Sequence, residues 1–128
     1  MASWPRKEDE MLDANLVLKT SGAQTSSVTS ATGVDFGGAD VNPITYVLNC
    51  TTLTGATGTL AVKIQESDNN STWRDFVSFP TLTTAAGIHR VTGKSDARYR
   101  RYYSTLAGTS PNFTYSVYPE LGGEYTKF

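Results

Sequence analysis

Two runs of the chain alternate apolar and polar residues with a period of two, and that period limits the fold more than any other feature. In NPITYVLNCTT, Ile44, Tyr46, Leu48 and Cys50 fall on one side and Thr45, Val47, Asn49 and Thr51 on the other. In TLAVKIQE, Leu60, Val62 and Ile64 oppose Ala61, Lys63 and Gln65. Successive strand side chains point to opposite faces, so each run reads as a half-buried β-strand. Shorter runs follow the same reading: LVLKT, weak strands near residues 24–29 and 34–36, TWRDFVSF, IHRVT, ARYRRYYSTL and FTYSVY. Gly-, Asn- and Pro-containing stretches such as LTGATGTL, PTLTTAAG and AGTSPN separate them and supply turns. In TWRDFVSF the parity slips between Trp73 and Phe76, which predicts a bulge or a two-sided strand.

Composition agrees with this pattern. Hydrophobic residues make up 38% and charged residues 18%, and Thr, Ser, Gly and Asn fill much of the rest, a mix that suits strands and turns over helices. A chain of 128 residues suits one domain with a real core. The expected fold is all-β: an antiparallel β-sandwich, jelly-roll-like, over residues 16–128, with an irregular N-terminal arm at residues 1–15. Its core is expected to draw on Ile44, Tyr46, Leu48, Leu60, Val62, Ile64, Trp73, Phe76, Val91, Phe113, Tyr115 and Val117.

The formal net charge of −1 offers no long-range attraction for nucleic acid or an anionic membrane, so neither is an expected partner. No apolar run has membrane-spanning length. The first twenty residues hold no apolar secretory core, so folding in the cytoplasm of the producing cell is expected. The single cysteine, Cys50, has no intrachain partner for a disulfide and reads as a small core residue. Acceptor patterns at Asn49, Asn69, Asn70 and Asn112 are what an Asn- and Thr-rich chain produces by chance.

The stretch VKIQESDNNSTWRDFVSF crowds Glu66, Asp68, Asn69, Asn70 and Asp75 around Trp73. A calcium loop would need a glycine at its bend and a distal glutamate, and a glycosidase pair would need two carboxylates facing a cleft. Two strands joined by an Asx-rich turn account for the same residues, with Trp73 packing across from Val62 and Ile64. The one histidine, His89, has no second histidine beside it and reads as a surface strand residue. No serine sits in a nucleophile elbow, and DFGGAD lacks the lysine and helix of a phosphate loop. No catalytic residue, metal site or cofactor is therefore expected, and the chain reads as non-enzymatic.

The basic and aromatic stretch KSDARYRRYY carries the candidate contact residues Arg98, Arg100, Arg101, Tyr102 and Tyr103. On a strand, Arg98, Arg100 and Tyr102 share one face while Tyr99, Arg101 and Tyr103 share the other, which divides the charge and weakens a nucleic-acid groove. Arg and Tyr are enriched in protein interfaces, so an acidic protein surface is the favoured partner for this stretch. In the arm, Trp4, Met11 and Leu12 would share a face if helical and are candidate anchors on a partner.

KIQESDNNSTW, RYRR and GTSPNFTYSV together resemble a recurrent β-sandwich module of tailed bacteriophages, in which a K-I-Q-E-S-D-x-x-x-T-W hairpin precedes an R-Y-x-R strand and a G-T-S-P-x-F-T-[FY]-S-V closing hairpin. The resemblance spans residues 44–119. It implies a virion structural protein, and for a chain of this length a capsid decoration (cement) protein on the outer capsid surface, made in the host cytoplasm. The implied partners are the major capsid protein and further copies of the chain, as a dimer or trimer at a two-fold or three-fold position. The alternative is a tail or fibre component that binds a host-surface glycan through Tyr102, Tyr103, Tyr118 and Tyr125.

Overall fold

A computed structural model of the chain describes residues 16–54, 58–83 and 86–120. Among them run β1 (Lys19–Gln24), β2 (Val34–Asp35), β3 (Ile44–Thr54), β4 (Thr59–Ser67), β5 (Arg74–Ser78), β6 (Gly87–Gly93), β7 (Tyr99–Ala107) and β8 (Asn112–Glu120). They form two four-stranded antiparallel sheets, ordered β1-β8-β3-β6 and β2-β7-β4-β5. The pairs β4–β5, β3–β6, β2–β7 and β1–β8 nest inside one another, as in one long hairpin rolled up. Contacts β3–β8 and β4–β7 then close the roll, which is the jelly-roll arrangement. The expected all-β sandwich is the observed fold, and the arm at residues 1–15 lies outside the described residues.

The alternation works as the sequence reading requires. Ile44, Tyr46, Leu48 and Cys50 of β3, Leu60, Val62 and Ile64 of β4, and Phe113, Tyr115 and Val117 of β8 are buried between the sheets. Each such apolar side chain contributes about 1.5–3 kcal/mol when fully buried. Val47 points the other way yet is only 1% exposed, because Arg90 of β6 and Tyr118 of β8 flank it in register on the outer face.

The hairpin over residues 62–79 is present, and the parity slip is a bulge. Ile64 pairs with Val77 and Gln65 with Asp75, so Phe76 is the extra residue. The turn is held by Asn69, whose Oδ1 accepts the backbone N–H groups of Ser71 at 2.9 Å and Thr72 at 2.8 Å. Asn70 sits at φ 61, a left-handed conformation that asparagine tolerates.

Several expectations need correction. Trp73 is half-buried and stands outside the core: a Cβ on Gly33 would lie 2.8 Å from its Cη2, so the ring covers Gly33. Phe76 and Val91 are half-buried at the rim of the core. The run at residues 16–20 enters its strand only at Lys19, Gln24 closes that same strand, and residues 25–29 contribute one isolated bridge, Val28 to Ser104. The last turn does not close a hairpin. β7 and β8 lie in different sheets, and the Gly108–Ser110 bend (φ 107 and 49) carries the chain across the sandwich. Parity and turn residues are the same for a hairpin and an arch; only the partners of each strand distinguish them.

Candidate functional site

The residues proposed for partner contact divide as their parity predicts. Arg100 and Tyr102 of β7 point between the sheets, and Arg101 and Tyr103 point out from the β2-β7-β4-β5 sheet. Arg98 lies just before β7 at an exposed corner. Trp4, Met11 and Leu12 lie outside the described residues.

On the outer face a continuous run of contacts links two aromatic rings. The Lys63 ammonium lies 4.5 Å from the centre of the Tyr103 ring and 3.0 Å from Asp75 Oδ2. Asp75 Oδ1 accepts from Gln65 Nε2 at 3.1 Å, and Gln65 Oε1 accepts from Arg101 Nε at 2.9 Å. The Arg101 guanidinium lies 4.5 Å from the centre of the Trp73 ring. The hydrogen bond from Gln65 and then that from Lys63 hold the Asp75 carboxyl below the usual carboxylate range. β4 and β7 place these groups side by side because Lys63 is in register with Tyr103 and Gln65 with Arg101.

A second such pair stands at the β2 side. Arg98 donates from Nε and Nη2 to both oxygens of Asp35, each at 2.8 Å, and its guanidinium lies 5.5 Å from the centre of the Tyr99 ring. This forked contact holds Asp35 at about 2. Beyond Tyr103 the face drops to small residues. There Ala61, Lys63, Ser78, Thr81, Tyr103 and Thr105 line a shallow depression of about 250 Å³.

Arg100 requires a correction. Its side chain is 0% exposed, so it is not a surface contact. Nη1 pairs with Asp40 Oδ1 at 2.8 Å and donates to Tyr46 Oη at 2.9 Å, Nη2 donates to the Ala97 carbonyl at 3.0 Å, and the Phe36 ring lies 4.3 Å from the guanidinium carbon. Asp40 Oδ2 accepts the Ser95 N–H at 2.9 Å, Ser95 Oγ donates to Glu66, and Glu66 Oε2 meets Arg74 Nε at 2.7 Å. This network fastens the loops before β3 and β7 to one end of the sandwich. Tyr102 also faces inward, packing edge-on against Tyr115 at 6.5 Å, and burial pushes its hydroxyl pKa up. Its parity with Leu106 marked this inward direction; nothing in the sequence marked Asp40, far away in a loop, as the partner of Arg100.

The carboxylates of the hairpin are engaged by cations: Glu66 and Asp68 by Arg74, and Asp75 by Lys63. Among the described residues no cluster of three His, Cys, Asp or Glu side chains is placed to hold a metal. His89, on β6 opposite Leu48, is half-buried.

No family model matches the chain, and no curated protein matches it. Among solved structures, it is similar to the CBM22-1–GH10 modules of the N-terminal endo-1,4-β-D-xylanase 10B of Clostridium thermocellum, solved with xylohexaose. The TM-score is 0.47 at 10% identity, over 88% of this chain. The match spans 27% of the xylanase chain.

Proposed function

We propose that this chain is a non-enzymatic structural protein of a bacteriophage virion that docks on the outer surface of an assembled capsid and stabilises it, with the major capsid protein as partner. The observation that carries the reading is the outer face of the β2-β7-β4-β5 sheet, where Arg101 on Trp73, Lys63 on Tyr103 and Arg98 on Tyr99 stand ready-paired. Arg, Tyr and Trp dominate the energetics of protein interfaces, and side chains already fixed lose little freedom on binding. The motif resemblance supplies the kind of partner. A ligand that binds only the assembled shell stabilises it by mass action. The arm, with Trp4, Met11 and Leu12, would extend the contact over neighbouring subunits, and the bound form would be a homo-oligomer.

The test is copy number per purified virion, measured by quantitative mass spectrometry against the major capsid protein. Copies on the scale of the capsid lattice are expected. A chain with Arg101→Ala and Tyr103→Ala, or one lacking residues 1–15, is expected to lose co-sedimentation with capsids. Undiminished binding by both variants would sink the proposal.

The depression beside Tyr103 favours a second reading, a tail or fibre component that binds a host-surface glycan. An aromatic wall, the Lys63–Asp75 pair and the nearby hydroxyl side chains Ser78, Thr81 and Thr105 suit a polyhydroxylated ring. Of the tyrosines proposed for it, Tyr103 and Tyr118 lie on outer faces, Tyr102 faces inward, and Tyr125 lies outside the described residues. A handful of copies per virion together with glycan-array binding lost in Tyr103→Ala would favour this reading.

A further inference from the structure

A sheet edge presents a row of unpaired N–H and C=O groups, and natural sandwiches blunt it with short strands, bulges, prolines or charges. Here the edges are β1, β2, β5 and β6. β1 shifts register between Lys19 and Gly22, and the Lys19 ammonium folds back onto the carbonyls of Thr20, Gly22 and Tyr115 at 3.2, 3.0 and 3.0 Å. β2 is two residues long. β5 has five residues and the Phe76 bulge.

β6 is neither short nor bulged and holds no proline, and its one charge is Arg90. Its seven residues pair with β3 in unbroken register, from Ile44 with Gly93 to Cys50 with Gly87. It contains no proline, lysine or acidic residue, and among the described residues no backbone hydrogen bond reaches its outer edge. Residues 81–83 face its start across an open cleft of about 340 Å³. Ile88 is 53% exposed. Arg90, the charge that could guard the edge, reaches across the outer face away from it: its Nε donates to Glu120 Oε1 of β8 at 3.2 Å, on the far side of β3.

We propose that β6 is a homotypic interface, where two copies of the chain join antiparallel about a two-fold axis into one continuous eight-stranded sheet. The strand GIHRVTG is nearly symmetric about Arg90, with Gly87 and Gly93 at its ends, Ile88 and Thr92 on the outer face, and His89 and Val91 on the inner face. Pairing centred on Arg90 sets Ile88 of each copy against Thr92 of the other, and His89 against Val91, and such cross-strand pairs stabilise a sheet. The two Arg90 side chains arrive already paired with Glu120, so like charges do not face each other bare. A net charge of −1 per copy adds little repulsion. A second copy repeats each of these side-chain pairs on both halves of the seam, which an unrelated strand would have to match by sequence. This inference gives the proposed homo-oligomer one specific interface and is tested in solution, so the dimer can fail while capsid binding holds, and the reverse.

The test is sedimentation equilibrium of the full chain over a wide concentration range, with cysteine cross-linking to fix the register. The wild-type chain is expected to dimerise. Ile88→Lys, exposed and harmless to folding as checked by circular dichroism, is expected to weaken the dimer about tenfold or more, since a lysine enters on each side of the axis. Thr105→Lys on the other sheet is the control and leaves the dimer intact. Residue 90 would face its own copy at a Cα separation of roughly 4.5–5.5 Å, within disulfide reach. Arg90→Cys is therefore expected to form a disulfide dimer under mild oxidation, and Ile88→Cys only when combined with Thr92→Cys. A chain that stays monomeric at every concentration, a dimer indifferent to Ile88→Lys, or equal cross-linking by Arg90→Cys and Ile88→Cys would each overturn the proposal.

Discussion

Arg100 shows how far one residue's environment departs from its type. A guanidinium with no exposure is stable only because Asp40, Tyr46 and the Ala97 carbonyl make three polar contacts with its Nη atoms, while its Nε has no hydrogen-bond partner among the described residues. Replacing it with Met would leave the Asp40 carboxylate, 5% exposed, without its cation. Arg100→Met is expected to cost about 3–5 kcal/mol in urea unfolding, the usual loss when one member of a buried pair is removed. Tyr46→Phe, which removes one hydrogen bond to a charged group, should cost about 1.5–3 kcal/mol. Asp35 is the exposed counterpart. The Arg98 hydrogen bonds hold it at about 2, below its ordinary 3.8. Its contribution to stability is thus present above the ordinary value and lost as pH falls through about 2. Carboxyl NMR titration should find that low midpoint in the wild type and a higher one in Arg98→Ala, still below the ordinary value because the Gly37 N–H continues to donate to Asp35 Oδ1.

Among the elements, β5 and β6 meet closely at one corner. A Cβ on Gly93 would stand 2.8 Å from Phe76 Cζ and 2.9 Å from Val77 Cγ1, so the end of one edge strand packs directly on the bulge of another. Gly93→Ala is expected to destabilise the fold by about 1–3 kcal/mol through overpacking, read as a lower urea midpoint at unchanged slope. The bulge itself was legible in advance, because Trp73, Phe76 and Val77 cannot share one face of an unbroken strand. The position of Trp73 was not. Whether an aromatic at a strand entrance turns into the core depends on what lies beside it, and here Gly33 leaves a flat place for the ring while Arg101 covers it.

For the whole molecule, the nested order of strands sets where the fold is held most firmly. β3, β8, β4 and β7 are flanked by strands on both sides, and β1, β2, β5 and β6 on one. Hydrogen exchange in dilute protein should therefore be slowest in the first set, which opens only with the sandwich as a whole. Equal protection of β6 and β3 under those conditions would contradict this ordering. Protection of β6 that rises with protein concentration is expected if the edge pairs with its copy.

Period-two alternation, turn chemistry and the absence of a helical stripe fixed the fold class, most of the strands and the inward residues of β3, β4 and β8, because those properties are local and repeat along the chain; Leu18, Phe79, Leu82 and Ala97, buried outside those runs, were not marked by them. The same parity placed Arg101 and Tyr103 on one face of β7 and Arg100 and Tyr102 on the other. Which face looks inward, which strands are neighbours and which acid meets which base are decided between segments far apart in sequence. Asp40 meets Arg100, Glu120 meets Arg90 and Asp35 meets Arg98 only because the roll brings their strands and loops together. The edge position of β6 belongs to the same class of property: among the described residues a strand is an edge only through where the fold places its neighbours.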